Sequence, residues 1–176
     1  MTIGIIIGSI REARIGDQIA NWVLEHANKH DAEYTLIDLA EYNLPLVSGM
    51  PPIAVDRQYD NPEVTRFSET IAACDAFIVV TPEYNRSVPG ALKNAIDSLG
   101  SEWSGKPVAY VSYSYDGGIR VADHLRIIFG NFNMYSLRTQ VNINLNTAVV
   151  DGTFNAPEYL AGSLKAIFTE LEEKTA

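Results

Sequence analysis

Residues 2–8 read Thr-Ile-Gly-Ile-Ile-Ile-Gly, a short apolar and β-branched run without polar alternation. A strand of this kind is buried on both faces, which is typical of a parallel sheet covered by helices on each side. Residues 75–81, with Ala-Phe-Ile-Val-Val at 76–80 as their centre, repeat the pattern near the middle of the chain. These two runs predict fully buried strands, and the rest of the chain is interpreted around them.

Strand and helix patterns alternate along the whole chain. Further strands are predicted at 34–39, at 106–113 and, more weakly, at 137–143. Apolar spacing and capping residues predict helices at 15–28, 61–73, 89–99, 118–132 and 156–173. This alternation predicts a flavodoxin-like three-layer α/β sandwich, whose five-stranded parallel sheet has the order 2-1-3-4-5 and helices on both faces. A Rossmann half-fold or a response-regulator receiver would give much the same pattern.

The composition indicates one acidic globular domain spanning residues 1–176. The chain has 176 residues, 47% of them hydrophobic, and a formal net charge of −9. That balance argues against a nucleic-acid partner, and the longest apolar runs fall far short of the ~20 residues that cross a membrane. No basic segment followed by an apolar stretch opens the chain, so no signal peptide is expected. The single cysteine, Cys74, fits a reducing, cytoplasmic setting.

One connection is unusually long. Residues 40–60 contain Pro45, Pro51 and Pro52 and show no clear periodicity. Loops of this length are uncommon and are often functional. We therefore expect an irregular segment that could form one wall of a ligand site.

The candidate site lies in the loops that follow strands one, three and four, because ligands of open α/β sheets bind beyond the carboxyl ends of the strands. The first loop, residues 8–16, reads Gly-Ser-Ile-Arg-Glu-Ala-Arg-Ile-Gly directly before a predicted helix. A helix N-terminus presents unpaired N–H groups and a partial positive charge, and Arg11 and Arg14 add donors that match phosphate. We interpret this loop as a phosphate site in preference to two solvated arginines.

The second and third loops offer flat and flexible surfaces. Residues 81–90 read Thr-Pro-Glu-Tyr-Asn-Arg-Ser-Val-Pro-Gly, in which Tyr84 has an apolar face and Asn85 has both donors and acceptors. Such a loop could lie along an aromatic ring. Residues 112–118 read Ser-Tyr-Ser-Tyr-Asp-Gly-Gly, and the two glycines would let the backbone approach a ligand closely. Residue types alone are also compatible with ordinary turns in both loops.

These stretches resemble a known family. Residues 8–16 resemble the first-loop signature of the NADPH-dependent FMN reductase family, and residues 81–85 resemble the start of its second-loop signature. Residues 87–97, Ser-Val-Pro-Gly-Ala-Leu-Lys-Asn-Ala-Ile-Asp, continue that signature at fixed spacing. The two glycines followed by Leu125 and Arg126 are similar to the beginning of the family's fourth helix. The resemblance covers nearly the whole chain.

The resemblance implies a flavodoxin-like reductase that binds FMN non-covalently. Such an enzyme takes hydride from NADPH or NADH and passes electrons to a small-molecule acceptor, such as a quinone, free flavin, an azo compound or a metal oxyanion. It needs no side-chain acid or base for hydride to reach the flavin, so no catalytic residue is assigned. The family forms dimers and dimers of dimers, which implies a homodimer or homotetramer here. The many apolar residues of the predicted fourth helix agree with that expectation.

The cofactor-binding residues are carried over by position. The resemblance implies that the phosphate is held by Ser9, Arg11 and the backbone of Arg14, Ile15 and Gly16. Side-chain contacts are not implied at positions 14 and 16, because the quinone and chromate reductase branch has Ser and Asn there. The residues implied beside the isoalloxazine ring are Pro82, Glu83, Tyr84, Asn85, Tyr113, Ser114, Gly117 and Gly118. Backbone N–H groups of the third loop are expected to donate to the polar edge of the ring.

Two other functions remain open from the sequence. A flavodoxin-like electron carrier without NAD(P)H turnover shares the predicted fold, and a charge of −9 would suit docking to basic partners. A scaffold protein that has lost FMN is a third possibility. No metal site is predicted, because His26 and His30 share a helix face without a nearby third ligand.

Overall fold

The computed structural model describes residues 1–175 and confirms the predicted sheet. Five parallel strands lie in the order β2-β1-β3-β4-β5. The strands are β1 Thr2–Ile7, β2 Glu33–Asp38, β3 Ala76–Pro82, β4 Pro107–Ser114 and β5 Tyr135–Asn144. Chain order reverses between β1 and β3, which is where ligands of such sheets bind beyond the carboxyl ends of the strands.

Helices cover both faces of the sheet. The α-helices are α1 Gly16–Ala27, α2 Pro52–Val55, α3 Pro62–Ala72, α4 Gly90–Asp97, α5 Ile119–Gly130, α6 Leu145–Ala148 and α7 Leu160–Thr175. A 3₁₀ turn, Leu39–Glu41, follows β2. Among residues 1–175, no helix combines the length and the apolar character needed to cross a membrane.

The buried strands divide their side chains between two cores. Ile3, Ile5 and Ile7 of β1 pack with α1 and α7, whereas Ile6 packs on the opposite face with α3, α4 and α5. Every residue of β3 is buried. Successive side chains of a strand point to opposite faces, so burial on both sides favours apolar residues at consecutive positions. This is the physical reason that the two runs at 2–8 and 76–80 lack polar alternation.

The short helix α6, Leu145–Ala148, was not predicted, and three further parts of the chain differ from the prediction. The segment 40–60 is not wholly irregular, because it contains the end of the 3₁₀ turn and the short helix α2. The closing helix begins at Leu160 and not at residue 156, since residues 157–160 form a turn closed by the Leu160 N–H and the Pro157 carbonyl, 3.0 Å apart. Between α6 and α7, the strands β6 Val149–Val150 and β7 Thr153–Phe154 form a hairpin that periodicity did not reveal.

The hairpin is made by its turn. Asp151 and Gly152 have φ angles of 48° and 74°, the left-handed pair that a two-residue hairpin turn requires. Asp-Gly is a strong local signal for this turn, but each flanking strand is only two residues long. Two residues are too few for alternating hydrophobicity to be recognised.

The long segment 40–60 is fastened to the domain at both ends. Near its start, the Asn94 side chain donates to the Pro45 carbonyl over 2.9 Å and accepts from the Val47 N–H over 3.0 Å. Near its end, the Tyr59 hydroxyl donates to Glu102 over 2.8 Å. The segment 40–60 is therefore held by hydrogen bonds near both of its ends and runs along the α4 side of the molecule.

Glu102 is the buried charge that secures one of these ends. Its carboxylate accepts hydrogen bonds from the Ser68 hydroxyl at 2.6 Å and the Gly100 N–H at 2.9 Å, and the Arg57 guanidinium lies 3.8 Å away. Burial raises the pKa of Glu102, but the hydrogen bonds from Ser68, Gly100 and Tyr59 outweigh it and hold the pKa below the ordinary 4.5. The ionised form therefore stabilises the fold above pH 4.5, and this contribution is lost as pH falls through the folded-state pKa.

We expect Glu102→Gln to lower the free energy of unfolding at pH 7 by about 1.5–3 kcal/mol, because hydrogen bonds to a charged acceptor are weakened. The difference from the unmodified protein should shrink as pH falls through the folded-state pKa of Glu102, which lies below 4.5. Urea unfolding at pH 7 and at acid pH measures both effects. Glu158→Gln, at an exposed glutamate before α7, is the control. A constant difference across pH would contradict the assignment.

Candidate functional site

The first loop ends in a helix whose N-terminus has no side-chain cap. Ser9 is 1% exposed, whereas Ile10 to Ala13 are exposed. The N-cap residue of α1, Ile15, makes no side-chain capping hydrogen bond. The first N–H groups of α1 are thus available to a bound anion, which a helix N-terminus favours.

The two arginines of the first loop have different roles. Arg14 donates to the Ser9 carbonyl over 2.6 Å and forms an ion pair with Asp38 at the end of β2. Arg11 is exposed, and its guanidinium lies over the Tyr84 ring, 5.3 Å from the centroid. Arg14 therefore holds the loop in place, and Arg11 is the arginine whose guanidinium is exposed for a ligand. This refines the expectation that both guanidinium groups serve a phosphate.

The second loop is a tight hairpin turn beyond β3. The backbones of Tyr84 and Ser87 exchange hydrogen bonds of 3.0 and 2.9 Å around Asn85 and Arg86. These two residues have φ angles of 49° and 69°, so the turn is left-handed at both central positions. Asn85 lies exposed at its tip. The Tyr84 hydroxyl is 2.9 Å from the Ser9 hydroxyl, so the first and second loops are in direct contact.

Glu83 joins the second loop to α5. Its side chain is 5% exposed and accepts from the Arg120 guanidinium at 2.7 Å. It also accepts from the backbone N–H groups of Arg120 at 3.1 Å and Val121 at 3.4 Å. A carboxylate at this position caps the helix and complements its dipole. The Glu83 carboxylate is therefore occupied by its bonds to α5. A ligand in the cleft would meet the backbone of Glu83 and the residues next to it.

The third loop folds around Ser114. The Ser114 hydroxyl accepts from the N–H groups of Asp116 at 3.0 Å and Gly118 at 2.8 Å, and the Gly117 N–H donates to the Ser114 carbonyl at 3.2 Å. Gly118 has a φ of 73°, and a Cβ there would lie 2.9 Å from the backbone N of Tyr113. The turn therefore requires glycine. Three of the third-loop N–H groups, those of Asp116, Gly117 and Gly118, therefore already have Ser114 as their acceptor.

Tyr113 links the third loop to the start of α1. Burial, followed by the neighbouring Tyr84, raises its pKa well above the ordinary value, so the phenol is neutral. A Cβ on Gly16 would collide with the Tyr113 hydroxyl. The close approach of α1 to the sheet edge thus depends on glycine at position 16.

The three loops enclose a cleft of about 410 Å³ at the carboxyl edge of the sheet. Its walls contain nine of the predicted residues, which are Ser9, Arg11, Arg14, Ile15, Pro82, Glu83, Tyr84, Tyr113 and Ser114. Four predicted residues support the walls without lining them: Gly16, Asn85, Gly117 and Gly118. In the described part of the chain, no three His, Cys, Asp or Glu side chains are grouped as a metal site.

The sequence analysis missed four residues of the cleft. They are Glu12, Ala13, Tyr115 and Leu145. Tyr115 is 71% exposed in the third loop, and an aromatic residue among glycines was a signal that could have identified it. Leu145 begins α6 directly after β5, a position that the analysis of the other three loops did not consider.

Comparisons with known proteins identify the family of the chain. The family model described as NADPH-dependent FMN reductase matches residues 1–148. An NAD(P)H-dependent FMN reductase of Schizosaccharomyces pombe is 33% identical, with 96% of this chain and 88% of the relative covered. A 2-hydroxy-1,4-benzoquinone reductase of Burkholderia sp. is 32% identical, with 85% and 86% covered.

The fold is shared with solved structures. The flavoenzyme FerB of Paracoccus denitrificans, an NAD(P)H:(acceptor) oxidoreductase, superimposes with a TM-score of 0.77 at 23% identity and covers 98% of both chains. At that identity the likeness concerns the fold, while the family match and the sequence relatives concern the activity. The chain belongs to the NADPH-dependent FMN reductase family and is an oxidoreductase that uses NAD(P)H and FMN.

Proposed function

We propose that FMN binds in the cleft between the three loops, with its phosphate at the N-terminus of α1. The observation that carries this proposal is the convergence of an uncapped helix end and the exposed Arg11 on one cleft. Ser9, Arg11 and the backbone from Arg14 to Gly16 would hold the phosphate through N–H, hydroxyl and guanidinium donors. The absence of a Cβ at Gly16 and the two left-handed glycines of the third loop leave the backbone close to the site, as a bound mononucleotide needs.

The isoalloxazine ring would lie against Pro82–Asn85 and be bordered by Tyr113, Ser114 and the turn at Gly117–Gly118. This surface is rigid, because Glu83 is bonded to α5 and its N–H donates to the Tyr113 carbonyl over 3.1 Å. A rigid surface orients a flat ligand without an ordering cost at the time of binding.

When bound, FMN supplies the redox chemistry, accepting hydride from NAD(P)H and delivering two electrons to the second substrate. The protein itself positions the cofactor and the substrates and shields them from water. Tyr84 and Tyr113 offer apolar ring surface, and Arg11 and the end of α1 provide positive charge at one end of the cleft. Both substrates would use the same face in turn, which gives ping-pong kinetics.

We propose a quinone as the acceptor class, in keeping with the quinone reductase relatives. Anaerobic NADPH should bleach the flavin absorbance of the purified holoprotein, and a benzoquinone should restore it. An unchanged flavin spectrum would indicate an electron carrier. Protein that is colourless and stays colourless with added FMN would indicate a scaffold. Restoration by free FMN or an azo dye, but not by quinone, would contradict the acceptor class alone.

Arg11→Ala should weaken FMN binding about 10- to 100-fold, because a charge-assisted hydrogen bond contributes roughly 1.5–3 kcal/mol. The fold should be unaffected, since the Arg11 side chain is exposed. Flavin fluorescence quenching measures the dissociation constant. Arg138→Ala, at an exposed arginine of β5 that does not line the cleft, should leave it unchanged. Undiminished FMN affinity in Arg11→Ala would contradict the phosphate assignment.

We also propose that two or four copies assemble through α5. Ile119 and Ile127 are 53% and 76% exposed on this helix, more apolar surface than a solvated face usually carries. The unmodified protein should sediment as a dimer or tetramer, and Ile127→Glu should shift it towards monomer. Ala166→Glu, at an exposed site on α7, is the control. Sedimentation of the unmodified protein as a monomer would contradict the assembly.

A cytoplasmic location completes the proposal. Cys74 is a free thiol buried beside β3, and burial raises its pKa to about 11. It is thus an inert core residue that requires no oxidising compartment.

A further inference from the structure

The β6–β7 hairpin is attached to the first turn of α1. The Gln18 side chain donates to the Gly152 carbonyl at 3.1 Å and accepts from the Phe154 N–H at 2.8 Å. One turn further along α1, the Trp22 ring meets the Phe154 ring edge-to-face, with centroids 5.7 Å apart. The hairpin lies after residue 148, where the match to the family model ends. The contacts with α1 therefore come from a part of the chain beyond the residues that the family model matches.

Gln18 belongs to the helix turn whose N–H groups are proposed above to bind the cofactor phosphate. It is the third residue of α1, which begins at Gly16. That turn has no side-chain cap. In the loop before it, Ala13 has a left-handed φ of 49°. The turn is held on its inner side by the contact between Gly16 and Tyr113 and on its outer side by the hairpin. Two constraints on opposite sides define where the N–H groups point.

We propose that Gln18 is a positioning residue for the cofactor phosphate, and that the β6–β7 hairpin sets the preference of this protein for FMN over riboflavin. The inference rests on the proposed binding of FMN phosphate at α1. Hydrogen bonds from helix N–H groups to a phosphate oxygen weaken with small changes in direction. Releasing the turn from the hairpin would therefore reduce the contribution of the phosphate and leave contacts to the ring intact.

Two variants test the proposed role of Gln18, one on each side of the contact between α1 and the β6–β7 hairpin. Gln18→Met keeps the side-chain length and removes both hydrogen bonds. Gly152→Ala strains the hairpin turn, because Gly152 has a φ of 74° while no atom within 4 Å would meet the added Cβ. Gly105→Ala is the matched control. Gly105 has a φ of 73° and equally open surroundings, but its turn precedes β4 at the opposite edge of the sheet.

Dissociation constants for FMN and riboflavin, which lacks the phosphate, are measured for each variant by fluorescence titration. In Gln18→Met and Gly152→Ala, we expect about a three- to tenfold weaker affinity for FMN and less than a twofold change for riboflavin. Gly105→Ala should leave the ratio of the two constants unchanged. A purely structural role predicts equal losses for both ligands, so that outcome, or an unaltered FMN affinity, would overturn the inference.

The unmodified protein separates this inference from the proposed function. If it binds FMN no more tightly than riboflavin, the phosphate site itself is wrong. If it prefers FMN, and Gln18→Met and Gly152→Ala both retain that preference, the phosphate site is supported and the proposed role of Gln18 is wrong.

Discussion

Burial of β1 and β3 on both faces is the constraint on which the rest of the molecule depends. A parallel strand in this position is apolar along most of its length, and it connects to the next strand through a crossover, usually a helix. The reversal of chain order between β1 and β3 then brings the loops after these strands to one edge. The polar residues of the chain that can recognise a ligand are concentrated there because the strands themselves have no room for them.

The cleft is held by contacts between the loops. Ser9 meets Tyr84, Glu83 bonds to the first turn of α5, and the Glu83 N–H donates to the Tyr113 carbonyl. Tyr113 in turn packs against Gly16 at the start of α1. Each loop is thus supported by another loop or by a helix end, and the site is shaped before any ligand arrives. Preorganisation of this kind reduces the ordering cost of binding.

The local arrangement of charges, and not the net charge, decides which anions this protein can bind. A net charge of −9 disfavours long polyanions, for which many phosphates must be neutralised together. A single phosphate requires only a helix N-terminus and a guanidinium, and the proposed site draws these from α1 and Arg11. The positive charge of Arg14 has a structural role instead, because its ion pair with Asp38 attaches the first loop to the end of β2.

By itself, the sequence determined the alternation of strands and helices and, through its local signatures, the family, because apolar periodicity and signatures are properties of consecutive residues. Most of the cleft could be predicted for the same reason. The same alternation was compatible with a Rossmann half-fold or a receiver, and the tertiary structure decided the order of the strands. Tertiary structure alone decided which polar atoms face the cleft: Glu83 is turned to α5, Arg14 to Asp38, and Ser114 to its own turn. It also brought Leu145 to the cleft and the β6–β7 hairpin beside α1. These outcomes depend on pairings between residues far apart in the chain, and a donor's partner cannot be read from its neighbours in sequence.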